Sequence, residues 1–244
     1  MVLLVRFLLR LTFGLAVGMA ITSPRQVSSG YYRNHLYVTL GLASLAAMLS
    51  RSVAPEAFWY AVGAAVASYI GAVSWLYEKP ALGRVLLLLV ALTAMTATFA
   101  QLGWTAGFLR LFANFSSGLL LGIPMAAMLL GHWYLNSPTM ELAPLRRLLL
   151  AMGGAVALQT VVSSLGLWGE IAYAQNLSTQ WILFVLLRWT FGLLGVAVLT
   201  WMAWQTLKIP NTQSTTGILY VAVIGTFVGE TMSLLLSAES LFPL

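Results

Sequence analysis

Eight continuous apolar stretches, each close to the 20 or so residues needed to cross roughly 30 Å of hydrocarbon, take up most of this 244-residue chain. They run from Leu3 to Ile21, Tyr31 to Leu49, Ala57 to Leu76, Leu82 to Leu102, Leu111 to Leu135, Leu145 to Trp168, Trp181 to Trp204 and Thr215 to Leu236. Hydrophobic residues make up 60% of the chain and charged residues 7%, which leaves too little polar material for a soluble fold of this length. In lipid every backbone N–H and C=O must be bonded within a helix or a closed barrel. The runs are continuous and do not alternate with period 2, so they are helices and not barrel strands. The expected fold is an all-α polytopic bundle forming a single transmembrane domain over residues 1–244.

Short polar and turn clusters separate the spans: Thr22-Ser23-Pro24-Arg25-Gln26, Ser50 to Pro55, Glu78-Lys79-Pro80, Asn136-Ser137-Pro138, Gln175-Asn176-Leu177-Ser178 and Lys208-Ile209-Pro210-Asn211. The first segment, with Arg6 and Arg10 ahead of an apolar stretch and small residues near Ala20, has the outline of a signal peptide; it is read as a retained helix. Eight spans put both termini on one side. One set of loops carries Arg25, Arg33, Lys79, Arg84, Arg146, Arg147 and Lys208, and the other carries Arg51 and Arg110 beside Arg6. Cytoplasmic loops accumulate Lys and Arg, so both termini are expected outside, with a bacterial inner membrane as the expected location. The net charge of +6 reflects this loop bias and anionic lipid headgroups; with no basic soluble surface, nucleic acid is not an expected partner. The absence of cysteine removes disulfides, thiolate chemistry and cysteine-ligated iron–sulfur clusters from the chain itself.

An internal match links the ends of the chain. Leu8-Leu9-Arg10-Leu11-Thr12-Phe13-Gly14-Leu15 recurs as Leu186-Leu187-Arg188-Trp189-Thr190-Phe191-Gly192-Leu193, and each copy is followed by a glycine and then Leu-Tyr-Val, at Gly30 with Leu36 to Val38 and at Gly217 with Leu219 to Val221. Six helices separate the copies, so they run in the same direction, as in a parallel repeat of spans 1–2 and 7–8.

The spans also hold charges. Arg10 and Arg188 fall in the outer half of descending helices, and Glu230, within Phe227-Val228-Gly229-Glu230-Thr231, in the outer half of the last, ascending one. An unpaired charge within a span costs about 2.5–3.5 kcal/mol on insertion scales, so an Arg–Glu pair facing the bundle interior is expected, with Arg188 and Glu230 as the first choice and Arg10 in the same layer. Such a set is either a tie that fixes packing or a ligand or proton site. Two cations and one carboxylate leave a positive surplus that suits an anion, a quinone oxygen, an added acid such as Glu170, or snorkelling of Arg10. Gly229 beside the carboxylate allows close approach of a neighbouring helix or a flat ligand.

The two histidines, His35 and His132, lie toward the inner side. One bis-histidine haem would need both on facing helices at one depth; interfacial hydrogen bonding near Trp and Tyr is the commoner use of such residues, and haem is not the expected cofactor. The chain has no Asp, no Gly-x-Ser-x-Gly elbow, no phosphate-cradling Gly-rich Lys loop and no His-Glu-x-x-His pair. Lys79 and Lys208 sit in loops, which removes a mid-span Schiff base. Trp201 and Trp204 flank the inner end of span seven, where a quinone ring or acyl chain could lie, and Gln101 and Gln159 offer neutral polar groups within spans.

Eight spans, both termini outside, an arginine-led seventh helix, a last helix carrying Gly229-Glu230 and an early His35-Leu36 together resemble the membrane-anchor subunits of the dimethyl sulfoxide reductase and polysulfide reductase type. The resemblance implies a haem-free integral subunit that binds quinol, passes electrons to a partner iron–sulfur protein and handles protons, with Glu230 and His35 at the matching positions. The chain is shorter than that family and lacks its more extended motifs. A quinol site needs an apolar slot, donors for the carbonyl oxygens and a proton-handling group; the candidates are His35 and His132 on the inner side and Arg188 and Glu230 on the outer. The expected function is an anchoring, quinone-interacting subunit of a multi-subunit redox complex, with lipids as its surroundings. A structural or assembly subunit and a small transporter are the alternatives.

Overall fold

The computed structural model describes residues 1–103, 106–137, 140–173 and 178–244. The expected connections through Pro138 and through Gln175 to Leu177 lie outside the described residues. Among the described residues every regular element is helical. The first six spans are α1 (Val2–Ile21), α2 (Ser29–Val53), α3 (Pro55–Leu76), α4 (Pro80–Leu102), α5 (Phe108–Asn136) and α6 (Ala143–Tyr173). The seventh span is built from α7 (Thr179–Leu187), a π-helical stretch (Arg188–Gly195) and α8 (Val196–Lys208); the eighth is α9 (Thr212–Glu239). All eight are long and apolar enough to cross a membrane, so the chain is an integral membrane protein.

The helices overrun the apolar runs by a few residues at most ends because the polar interfacial residues continue the helical hydrogen bonding. Pro55 and Pro80 open α3 and α4, where a missing N–H costs nothing. Gly103 closes α4 at φ 80°, a left-handed conformation that a side chain would strain. The seventh span departs from the regular helix expected of it: the widened π turn begins at Arg188 itself.

The spans form two rings of four. In one, α1 packs on α2 and α4, with α3 between them; in the other, α5 packs on α6 and α9, with α8 between them. The rings meet along α1 and α5, the two helices with the largest buried share of residues. Contacts between them advance in the same direction along both, from Arg10 with Asn114 and Ser117 to Gly14 with Gly118 and Gly122 and then Gly18 with Ala126, so the pair is parallel. The seam is backbone against backbone: a Cβ on Gly14 would sit 1.8 Å from the Gly118 carbonyl oxygen, and one on Gly122 would sit 1.9 Å from the Gly14 carbonyl carbon. This is the small-xxx-small packing of membrane helices, in which dispersion at close range stands in for a hydrophobic driving force.

At the basic end, Gln26 bridges the first and fifth turns by donating to Glu141 at 2.6 Å and accepting from Arg147 at 3.1 Å. At the opposite end, residues after α9 fold back over the bundle. Glu170 Oε2 accepts from the backbone N–H of Leu241 at 3.0 Å and Phe242 at 3.1 Å, and Arg110 Nη2 donates to the Leu241 carbonyl at 2.8 Å.

Candidate functional site

Between the two rings, toward the end that carries the N-terminus, lies a connected polar network. Arg10 stands about 12 Å along α1 from Val2, Arg188 about 13 Å from the start of α7, and Glu230 about 13 Å back from the end of α9, at roughly 1.5 Å per residue. They therefore share a layer. Arg188 Nη1 donates to Glu230 Oε1 at 3.1 Å and to the Gly229 carbonyl at 3.1 Å, and its Nη2 donates to Ser163 Oγ at 2.9 Å. The pair is taken wholly out of solvent and lipid, with Arg188 1% and Glu230 0% exposed. Ser117 Oγ donates to Glu230 Oε2 and accepts from Arg10 Nη1 at 3.0 Å, while Arg10 Nε donates to Asn114 Oδ1. One carboxylate thus holds two arginines, one directly and one through a serine.

The π stretch explains how Arg188 reaches so many acceptors. Gly192 crosses Gly229 so closely that a Cβ on Gly192 would lie 2.5 Å from the Gly229 Cα, which brings the start of the stretch onto α9 beside Glu230. The open side of Gly229 is therefore filled by this helix and not by a flat ligand. The two copies of the Leu-Leu-Arg motif bring their arginines to the same carboxylate, Arg188 directly and Arg10 through Ser117, although one copy is straight α-helix and the other contains the π turn.

A cavity of about 130 Å³ borders the network, lined by Arg6, Arg10 and Arg110 together with Asn114, Gln159 and Ser163. Arg10 is 8% and Asn114 1% exposed, yet Asn114 Nδ2 has no hydrogen-bond partner among the described residues. A buried donor without an acceptor costs about 1–3 kcal/mol, so a second acceptor is owed to this spot. Gln159 Oε1 accepts from Ser116, which keeps its carbonyl end turned to α5. Ser233, Ser237 and Leu244 close the cavity on the α9 side; the Leu244 carbonyl accepts from the two serines.

The remaining expected residues lie elsewhere. Glu170 does not join the arginines: its carboxylate caps the Leu241 and Phe242 amides. Gln101 accepts from Arg6 through its backbone carbonyl at 3.4 Å, and its buried side-chain amide has no partner among the described residues. His35 is buried near the basic end, its Nδ1 2.6 Å from the Tyr31 carbonyl and its ring 4.4 Å from that of Tyr31 and 6.3 Å from that of Trp133. His132 is exposed, with Nδ1 3.4 Å from the Tyr220 hydroxyl. The histidines sit at the opposite end of the bundle from Glu230, so the four residues considered for quinone and protons divide into two places. Trp201 and Trp204 line a shallow apolar groove with Leu149, Gly153 and Ala197.

Asn114, Ser117, Ser116 and Ser163 complete the site and were not singled out by the sequence reading. A signal for three of them was present: α1 and α5 align in register, Arg6 with Arg110, Arg10 with Asn114, Thr12 with Ser116, Gly14 with Gly118 and Gly18 with Gly122. Asn114 and Ser116 then stand at positions where α1 has polar groups, and Ser117 stands between Ser116 and Gly118.

The chain matches no family model, no curated protein and no solved structure.

Proposed function

We propose that this integral membrane protein recognises a small oxyanion, a carboxylate or phosphate group, in the cavity lined by Arg6, Arg10 and Arg110. The observation that carries the reading is the excess of donors over acceptors. Three guanidinium groups and the unpartnered Asn114 amide line the cavity. Of the acceptors there, Gln159 Oε1 is taken by Ser116 and the Leu244 oxygen by Ser233 and Ser237. Arg6 and Arg110 each commit one nitrogen to a backbone carbonyl, and the one carboxylate of the network, Glu230, is already bonded by Arg188 and Ser117 on the far side of Arg10. Paired and hydrogen-bonded charges are the form in which ionised groups persist in a membrane interior, and an oxyanion would complete Arg10 and Asn114 as Glu230 completes Arg188. Arg6, half-buried one helical turn nearer the end, and Arg110 provide an approach of the same sign.

A second reading keeps the same residues: an anchoring subunit of a redox complex, in which Arg10 and Asn114 donate to a quinone carbonyl, Glu230 handles the proton and a partner iron–sulfur protein takes the electrons. Its support is the placement of a carboxylate and two arginines in one buried layer. These readings separate in the purified protein. Oxyanion recognition predicts that phosphate or acetate raises the melting midpoint over chloride at equal ionic strength, by the usual linkage of binding to stability, and that Arg6→Gln and Asn114→Ala abolish this rise. No anion-specific shift in the unaltered protein overturns it. Copurifying quinone whose content falls in Glu230→Gln supports the redox reading. Flux of the bound anion from liposomes tells a carrier from a receptor. If Arg6→Gln and Asn114→Ala merely unfold the protein while anions do nothing to the parent, the network is a packing tie.

A further inference from the structure

We infer that the ligand is a single-chain amphiphile with an acidic headgroup, which enters sideways from the bilayer; this rests on the oxyanion reading of the cavity. Two observations carry it. The first is size. At about 130 Å³ the cavity is well below the roughly 300–1,000 Å³ that encloses a drug-sized ligand. It takes a carboxylate or phosphate group, and whatever else such a ligand carries must lie outside.

The second is what adjoins it. A separate groove of about 290 Å³ runs between α1 and α9, walled by Leu3, Leu4, Phe7, Thr231 and Leu235, and almost wholly apolar. Leu234, itself buried, lines both the groove and the arginine cavity and is the shared wall between them. Leu4 and Thr231 are exposed on the outer surface of the helices, so the groove is open to lipid. The Thr231 hydroxyl donates to the Phe227 carbonyl, which leaves the groove without a polar demand. Charge and apolarity are thus laid side by side at one depth, with arginines inward and leucines outward. An acyl or prenyl tail in the groove directs its headgroup past Leu234 toward Arg6 and Arg10. A headgroup arriving this way is drawn from the interfacial layer, near the helix ends where Arg6 and Arg110 stand, and does not cross the folded-back segment after α9 that covers the end of the bundle.

The test compares dodecanoate with acetate and with dodecanol on the full chain in nanodiscs, dodecanoate and dodecanol being matched in membrane-partitioned concentration and binding being read by native mass spectrometry and by melting. Dodecanoate is expected to bind at least tenfold tighter than either. Leu4→Trp, which narrows the groove from its exposed wall, or Leu235→Trp, which narrows it from a half-buried one, is expected to weaken dodecanoate at least tenfold and leave acetate unchanged; two variants guard against one that fails to fold. Acetate binding with no gain from the tail, or dodecanoate binding indifferent to both tryptophans, overturns the amphiphile and leaves the oxyanion site standing. If neither acid binds, the oxyanion reading itself falls. Dodecanol binding as tightly as dodecanoate assigns the groove to annular lipid and overturns the inference.

Discussion

Glu230 is the residue on which the charges of the interior turn. With its carboxylate present, Arg188 is paired and Arg10 is held through Ser117; Glu230→Gln keeps the shape and removes the charge, leaving two buried guanidinium groups without a counter-ion. Breaking a buried pair by removing one partner costs about 3–5 kcal/mol. A large drop in melting midpoint is expected, and it should be partly recovered by phosphate, because an oxyanion in the cavity then offsets Arg10 while Arg188 stays unpaired; a variant as stable as the parent would show that the pair is not charged. Arg188→Lys asks a different question. The guanidinium serves Gly229, Glu230 and Ser163 from two nitrogens of one planar fork, and an ammonium cannot span the same acceptors. It is expected to destabilise by about 1–3 kcal/mol, the scale of leaving buried polar partners unpaired, despite conserving the charge. Denaturation of the purified variant measures this.

At the scale of elements, the α1–α5 seam and the π stretch do the positioning. Arg10 and Asn114 meet because Gly14, Gly18, Gly118 and Gly122 let the two helices touch: a side chain at Gly14 or Gly122 has backbone to displace, one at Gly118 meets the Phe13 ring and one at Gly18 meets the Ala126 Cβ. Gly122→Leu is expected to prevent the two rings from seating, read as loss of a monodisperse folded peak on size-exclusion chromatography. Gly153→Ala faces open space on α6, and removing glycine's backbone freedom there is expected to be neutral or to stabilise by about 0.5–1 kcal/mol. A seam glycine that tolerates leucine would contradict the parallel contact. The π stretch has a counterpart in sequence only as an ordinary apolar run. Nothing in Arg188 to Gly195 signals a widened turn until Gly192 is seen against Gly229.

For the whole molecule, the two rings lie side by side with basic loops gathered at one end and the network, the cavity and the C-terminal cover at the other. An orientation with the basic end toward the cytoplasm would put the cavity in the outer leaflet. The chain has no cysteine, so single introduced cysteines report orientation cleanly. In intact cells, Ser52→Cys in the last turn of α2 is expected to react with a membrane-impermeant maleimide, and Ser214→Cys at the start of α9 only after permeabilisation. The reverse pattern would put the cavity in the inner leaflet.

Hydropathy is a local property of a chain, and it was enough to locate all eight spans to within a few residues and to say that Arg10, Arg188 and Glu230 cannot stand alone in lipid. Which groups answer them is not local. Ser117, Asn114 and Ser163 look in sequence like any small polar residue in a membrane helix, and only the packing of α5 against α1 and α9, and of α6 against the seventh span, makes them partners. Glu170, as eligible by composition as Glu230, was drawn to two backbone amides at the end of the bundle because those donors lie next to it. A sequence of this kind decides what must be buried and what must be satisfied; the tertiary structure decides with whom, since hydrogen bonds and ion pairs act over a few ångströms between residues that are 25 to 113 positions apart along the chain.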